Sequence, residues 1–231
     1  MAGKGTIQRG LGKGLLFDSR GCNPGYLAGT SEPVEQELVA KYSRPGGVVY
    51  DVGANAGFYA VIAARYVGPQ GSVYAFEPTP TLAQRIRENA RSNGFANLHV
   101  IEAAVSGCDG TVRFGVSGPT SVTNSIRSAE STTAIEVQSV RLDTFCKTHP
   151  APALLLMDIE GAELEALDGA LELVARHLPV IMLEVHWLGK GFTDFFERSL
   201  RPLGYVATTY GGKPLETENS RYHALLLPPA Q

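Results

Sequence analysis

From Val48 onward, short apolar runs alternate with longer stretches of mixed polarity. "VVYDV" is rich in β-branched residues and is introduced by Pro45, Gly46 and Gly47, which is the pattern of a buried strand. "FYAVIAARYV" is alanine-rich and long enough for a helix. The same reading predicts strands at 48–52, 72–76 and 98–102, with helices at 58–67 and 79–92. "TVRFGV" and "AIEVQSVRL" then show period-two character and enclose a Ser/Thr-rich segment at 117–133. A hairpin-like excursion is expected there, carrying a disordered or acceptor-binding loop. The alternation resumes with helices at 142–147, 162–174 and 193–201 and strands at 153–157, 180–185, 205–209 and 223–227. Such a succession predicts an α/β fold built on a mainly parallel sheet with right-handed crossovers.

Ahead of this core lies a glycine-rich stretch with one strand-like piece at 14–17. A helix follows, with Thr30 or Ser31 as N-cap, Glu32 and Glu35 in its first turn, and Val34, Leu38 and Val39 on one face. No linker or internal repeat divides the chain. One domain is expected, with 1–45 as an N-terminal segment and lid helix and 46–231 as the core. Tyr26 to Glu32 is expected to fold over a bound cofactor.

Composition narrows the function classes. In 231 residues, hydrophobic content is 44% and charged content 19%, as in a soluble globular protein. A net charge of −3 and the lack of a Lys/Arg run interleaved with aromatics argue against nucleic acid as partner. Three widely spaced cysteines without a CxxC pair suggest neither a zinc site nor a disulfide framework. The first residues lack a signal-peptide pattern, and no apolar run has membrane-spanning length, so a cytoplasmic protein without a membrane span is expected.

The chemistry gathers where strands end. "VVYD" finishes at Asp51, "VYAFEP" at Glu77, "LLLMDIEG" at Asp158 and Glu160, and "VIMLEVH" at Glu184 and His186. In a parallel sheet the carboxyl ends share one edge, so these groups converge on one crevice. Glu77 lies 26 residues beyond Asp51, a spacing that suits an acid receiving the ribose hydroxyls of a nucleotide bound over the first turn. The turn "DVGANAG" lacks the third glycine of a dinucleotide fingerprint and the Gly-Lys-Ser/Thr of a P-loop. A nucleoside ligand without pyrophosphate fits those absences, and S-adenosylmethionine is such a ligand.

Taken in order, "VVYDVGANAGFYAVIAA", "VYAFEPTP", "VRLDTF", "LLLMDIEGAELEALDGA" and "IMLEVH" resemble the FkbM family of S-adenosylmethionine-dependent methyltransferases, and "NPGYLAGTSEPVEQELV" resembles its segment before the core. The resemblance runs from about Tyr26 to His186. It implies a Rossmann-like methyltransferase fold, with a seven-stranded mainly parallel sheet and helices on both faces. It also implies O-methylation of a hydroxyl on a sugar, glycan or polyketide-type natural product. Carried across, it puts Asp51, Gly53, Asn55 and Gly57 around the methionine part of the cofactor, Glu77 on the ribose, Ala104 and Val105 beside adenine, and Glu32 in the segment that covers it.

A hydroxyl attacks a methyl sulfonium poorly unless its proton leaves, so a base or a metal is needed beside the acceptor. His186 is the expected general base, with Asp158 and Glu184 as catalytic partners. Asp158, Glu160 and Glu184 are an alternative oxygen-donor set for a divalent ion such as Mg2+. Each acid also has a structural reading: Glu160 and Glu163 suit the first turn of a helix, and His186 suits a buried structural histidine beside Trp187. N-methylation of an amine, and a cofactor-binding protein without turnover, remain as alternative functions. Oligomeric state is not legible.

Overall fold

The computed structural model describes residues 3–116, 125–126, 133–215 and 221–230. An antiparallel ribbon of β1 (Lys4–Thr6) and β2 (Leu16–Asp18) comes first, then α1 (Gly25–Ala28) and α2 (Pro33–Tyr42). Next come β3 (Val48–Val52), α3 (Phe58–Val67), β4 (Ser72–Phe76), α4 (Pro80–Ser92) and β5 (Leu98–Ile101). A side sheet is made by β6 (Ala104–Val105), β7 (Gly110–Val116) and β8 (Thr133–Val140). The chain continues through α5 (Leu142–Phe145), β9 (Leu154–Met157), α6 (Glu163–Asp168), α7 (Leu171–His177), β10 (Val180–His186), α8 (Lys190–Phe195), β11 (Val206–Thr208) and β12 (Arg221–Leu227).

Seven strands form the central sheet in the order β11-β12-β10-β9-β3-β4-β5, and only β12 runs against the others. From β3 the chain builds outward through β4 and β5, then returns to build the other way through β9 and β10. The strand order therefore reverses between β3 and β9, which is where an open α/β sheet forms its ligand crevice.

Period two decides which side chains meet there. Val49, Leu154, Leu156 and Met182 enter the apolar cluster on the α3 side, whereas Tyr50, Leu155, Met157, Ile181 and Leu183 enter the one opposite. Counting on by twos from the first group places Asp51, Asp158, Glu184 and His186 on the α3 side at the carboxyl edge. The fold thus fixes the convergence expected from sequence.

Several elements differ from the sequence expectation. The helix start at Thr30 or Ser31 moves to Pro33, with Glu32 as a left-handed cap at φ 43°. Pro33 presets the first helical φ and drives its predecessor out of the helical region. Val34 is exposed, and Leu38 and Val39 carry the buried face. The expected helix at 162–174 breaks into α6 and α7 around Gly169, where a Cβ would press on the Ser106 carbonyl oxygen. The helix at 193–201 begins earlier as α8, widens into a π turn at Phe196–Leu200, and tightens to a 3-10 turn at Arg201–Leu203. The helix at 142–147 is the single turn α5. β1 and β6 were not expected at all. The hairpin β7 and β8 forms as expected; of its loop, Ser125 and Ile126 are described, Ser125 pairing with Gly115, and the rest lies outside the described residues.

The N-terminal stretch packs into the main apolar cluster through Ile7, Leu15 and Phe17. Asn93 holds β2 by accepting from Leu16 N at 2.8 Å and donating to Leu16 O at 2.7 Å. Cys22, Cys108 and Cys146 are free thiols, and among the described residues no helix is long and apolar enough to cross a membrane.

Candidate functional site

The turn after β3 is built to let two strand ends touch. Gly53 has φ 84°, and a Cβ there would collide with the carbonyl oxygen of Asp158, so glycine lets the β3 and β9 turns close on each other. Gly53 N and Ala54 N both donate to Phe76 O, at 3.0 and 3.1 Å, which pins the turn to the end of β4. Asn55 is left-handed at φ 51°, and its side-chain oxygen accepts from Ala56 N at 2.8 Å. Gly57, at φ 82°, caps α3 and packs toward Ile86.

Glu77 closes the turn from the neighbouring strand. Its carboxylate accepts from Asn55 N at 2.9 Å through Oε2 and from Thr79 N at 2.8 Å through Oε1, and each oxygen keeps a further lone pair. Burial raises its carboxyl to about 7, against the pull of those backbone donors. Asp51 is also raised to about 7, by burial first and then by the charge of Glu77, and its Oδ2 is buried without a partner. A buried unpaired carboxylate oxygen costs free energy unless a donor or cation meets it, so Asp51 marks a place for one.

A crevice of about 670 Å³ opens over Glu77, with an apolar wall that includes Ala103, Ala104, Val105, Phe114 and Ile126. A side pocket of about 440 Å³ leads to Asp51 past Glu35 and Tyr59. The two share Tyr26, Gly53, Asn55 and Asp158. Tyr26 stacks on Phe58 with centroids 4.5 Å apart, which brings the segment before α2 against the β3 turn. Glu35, and not the expected Glu32, is the α2 acid that lines the side pocket; Glu32 accepts from the Tyr59 hydroxyl at 2.6 Å.

Beyond β9 the acids gather around one imidazole. His186 has no exposed surface; its Nδ1 lies 2.9 Å from Glu163 Oε1, which also accepts from Gly161 N at 2.9 Å. Its Nε2 is buried without a hydrogen-bond partner, 3.8 Å from Asp158 Oδ1 and 3.6 Å from both Glu160 Oε2 and Glu184 Oε1. Burial disfavours the imidazolium, but the Glu163 hydrogen bond and the charges of Glu160, Glu163 and Glu184 outweigh it and raise His186 above its usual value. The expected general base His186 lines neither pocket: its ring sits behind the crevice, enclosed by carboxylates.

Asp158 and Glu160 are the members of this group that line the crevice. Asp158 keeps 51% of its side chain exposed. Enclosure by the crevice walls, then the charges of Glu184, Glu160 and Glu35, push its carboxyl well above the usual range. Burial raises Glu160 as well, and its backbone is left-handed at φ 53°. Glu184 goes the other way. Burial opposes its charge, but His223 and Arg221, brought alongside by β12, hold it down to about 2. The expected metal set of Asp158, Glu160 and Glu184 is not the grouping observed: Asp158, Glu184 and His186 each bring one donor atom, all within 4.8 Å of one another.

Tyr26, the first residue of the stretch expected to fold over the site, lines both pockets, whereas sequence reasoning did not assign Glu35, Glu163, Arg221 or His223 to the site. The position of Glu163, two beyond Gly161 and five beyond Asp158, marks a helix start, and nothing in it signals a partner on β10. Arg221 and His223 depend on the antiparallel β12, whose register pairs His186 with Arg221 and Glu184 with His223.

Comparison with known proteins places this geometry. The sequence profile described as the methyltransferase FkbM domain matches residues 51–207. The 2-O-methyltransferase NoeI of Sinorhizobium fredii is 26% identical over 195 residues, covering 74% of this chain and 78% of that one. The hexuronic acid methyltransferase AglP of Haloferax volcanii is 26% identical over 152 residues, covering 64% and 60%. A solved FkbM methyltransferase from Methylobacillus flagellatus shares the fold at a TM-score of 0.54 and 18% identity, over 88% of this chain and 52% of that one. Curated relatives are covered unevenly, from 14% of one to 78% of another, and the chain spans about half of the solved FkbM protein.

Proposed function

The chain belongs to the FkbM methyltransferase family, and from that premise we propose that it moves the methyl group of S-adenosylmethionine to a hydroxyl of a sugar, glycan or polyketide-type natural product in the cytoplasm. The observation that carries this reading is the crevice itself, which runs from Glu77 and the apolar wall past Gly53 to Asp158 and Glu160. The donor set suits the cofactor. Glu77 retains a lone pair on each oxygen for the ribose diol, the Ala104 and Val105 wall takes adenine, and the unpaired Asp51 Oδ2 faces the cationic methionine end beside Gly53 and Asn55.

When bound, the sulfonium supplies an electrophilic methyl group. With the methyl donor bound, an acceptor oxygen would take the methyl group as the C–S bond breaks, and Asp158 or Glu160 in the crevice would receive its proton. Their raised affinity for a proton makes them stronger bases than ordinary carboxylates. His186 and Glu163 act from behind by holding these groups in place. NoeI and AglP, a 2-O-methyltransferase and a hexuronic acid methyltransferase, support a sugar-like acceptor. The acid-rich wall, in which Arg221 and His223 of β12 lie against Glu184, disfavours a phosphate backbone.

The test uses labelled S-adenosylmethionine with a panel of glycosides and hydroxylated polyketides, the product being located by NMR. O-methylation is expected. An N-methylated product would replace the hydroxyl by an amine, and tight cofactor binding without transfer to any acceptor would make the chain a binding protein.

Affinity for the cofactor should depend on pH with a definite sign. With carboxyls at about 7 in the ligand-free protein, Asp51 and Glu77 favour the protonated fold, so their contribution to stability is present below the unfolded value and lost as pH rises through 7. The cofactor needs both as carboxylates. Calorimetry should find S-adenosylmethionine binding level above pH 7.5 and weakening below 7 by about tenfold per pH unit for each group. A flat profile from pH 6 to 8 would mean that neither acid meets the ligand.

A further inference from the structure

The imidazole of His186 presents an arrangement that no internal hydrogen bond completes. Its Nδ1 is fixed by Glu163, which is itself fully buried and tied to Gly161 N, so Nε2 has one direction to face. In that direction lie carboxylate oxygens of Asp158, Glu160 and Glu184 at 3.6 to 3.8 Å. Those separations are too long for hydrogen bonds, yet Nε2 is sealed from solvent. Acids outnumber the local guanidinium: Asp158, Glu160, Glu163 and Glu184 surround the ring, and Arg221 compensates Glu184 from the adjoining strand.

A buried nitrogen left unpaired at the centre of acceptors is costly, because both the ring and the carboxylates have given up water. One positive centre placed between the ring nitrogen and the carboxylates of Asp158 and Glu184 meets all three donors. A carboxylate that holds the far nitrogen of an imidazole is also the usual support for a histidine whose near nitrogen binds a metal. We infer that Asp158, Glu184 and the Nε2 of His186 form a binding site for a divalent first-row transition cation. One imidazole with two carboxylates is a mixed nitrogen and oxygen set, which suits Mn2+ or its neighbours better than Mg2+. The expectation of an all-oxygen magnesium site is revised accordingly.

The grouping of Glu32, Glu35 and His223 makes a useful contrast. Its donors also lie within 4.8 Å of one another, but Glu32 is exposed and His223 keeps 35% of its side chain open, whereas His186 is sealed and Glu184, which also accepts from Arg221, is buried. The Asp158 grouping sits instead at the crevice, one of its ligands half open to an incoming acceptor oxygen. A cation held there would lower the pKa of an acceptor hydroxyl. Glu160, which lines the crevice outside the ligand set, stays free to take the proton. The inference rests on the methyltransferase reading for its role but not for its existence.

The experiment is a titration of the purified full chain with MnCl2 after chelator treatment, followed by the electron paramagnetic resonance signal of free Mn2+. One equivalent should be bound in the wild type, with or without S-adenosylmethionine. Asp158→Asn and His186→Gln should each weaken binding by at least a hundredfold, and Glu163→Gln, acting through the ring orientation, by about 10–100-fold. Glu160→Gln should bind as the wild type does. Because His186→Gln alters a buried position, Co2+ gives an independent reading: its visible absorption bands should shift between wild type and that variant if nitrogen is a ligand. No Mn2+ uptake by a folded wild type at millimolar concentration would overturn the site, as would uptake unchanged in Asp158→Asn. Methyl transfer that persists in excess chelator would remove the cation from the reaction and leave the enzyme reading standing, whereas cation binding without any methyl transfer would keep the site and remove the enzyme reading.

Discussion

Replacing Glu77 by alanine is expected to lower S-adenosylmethionine affinity by about 10²–10⁴-fold, the equivalent of losing two charge-assisted hydrogen bonds of about 1.5–3 kcal/mol each. The side chain does two jobs at once. Its oxygens receive Asn55 N and Thr79 N, which sets the shape of the β3 turn, and their remaining lone pairs face the crevice. Alanine would leave both N–H groups without their acceptor, and each orphaned buried donor costs about 1–3 kcal/mol. The variant should therefore lose stability as well as affinity, and denaturant unfolding read beside calorimetry separates the two. A variant that unfolds at lower denaturant while binding the cofactor at full strength would keep Glu77 as a turn residue and remove it from the ribose.

That double role shows what sequence can and cannot reveal. The spacing from Asp51 to Glu77 places an acid at a strand end, and the strand predictions at 48–52 and 72–76 match β3 and β4. Buried parallel strands are legible because their apolar runs are continuous and bounded by Gly and Pro. The N–H donors that hold Glu77 come from a left-handed Asn55 and from Thr79 after Pro78, and no local pattern announces their aim. Helices fared less well where tertiary contacts interrupt them. Gly169 reads as a helix interior and is in fact the place where the chain passes the Ser106 carbonyl.

At the second half of the site the limit is of a different kind. Asp158, Glu160, Glu184 and His186 were all visible as strand-end residues, and parity on β10 put Glu184 and His186 on one side. Which of them reaches the crevice depends on depth, and depth is set by α6. Glu163 draws the His186 ring inward through Nδ1, and the carboxylates close over Nε2, leaving Asp158 and Glu160 at the surface of the crevice. Arg221 and His223 enter only through an antiparallel strand whose register cannot be read ahead of the fold.

The depth ordering leads to the second large effect. Asp158→Asn, which keeps shape and removes the charge, should reduce kcat for a hydroxyl acceptor by about 10²–10⁴-fold, the range expected when a positioned group that handles the acceptor's proton is lost. Affinity for S-adenosylmethionine should change far less, because the determinants proposed for it lie at Glu77 and Asp51. Glu160→Gln is expected to fall in the same range if it receives the proton while Asp158 positions the acceptor, and the pair together should lose no more than the worse single variant if they serve one transfer. His186→Gln should act through them, lowering kcat without changing which acceptor atom is methylated. An amine acceptor entering as the free base carries its own lone pair and needs no such group, so full turnover in both carboxylate variants, with methyl found on nitrogen, would move the reaction to amines. Full turnover with methyl still on oxygen would place the proton acceptor elsewhere in the crevice.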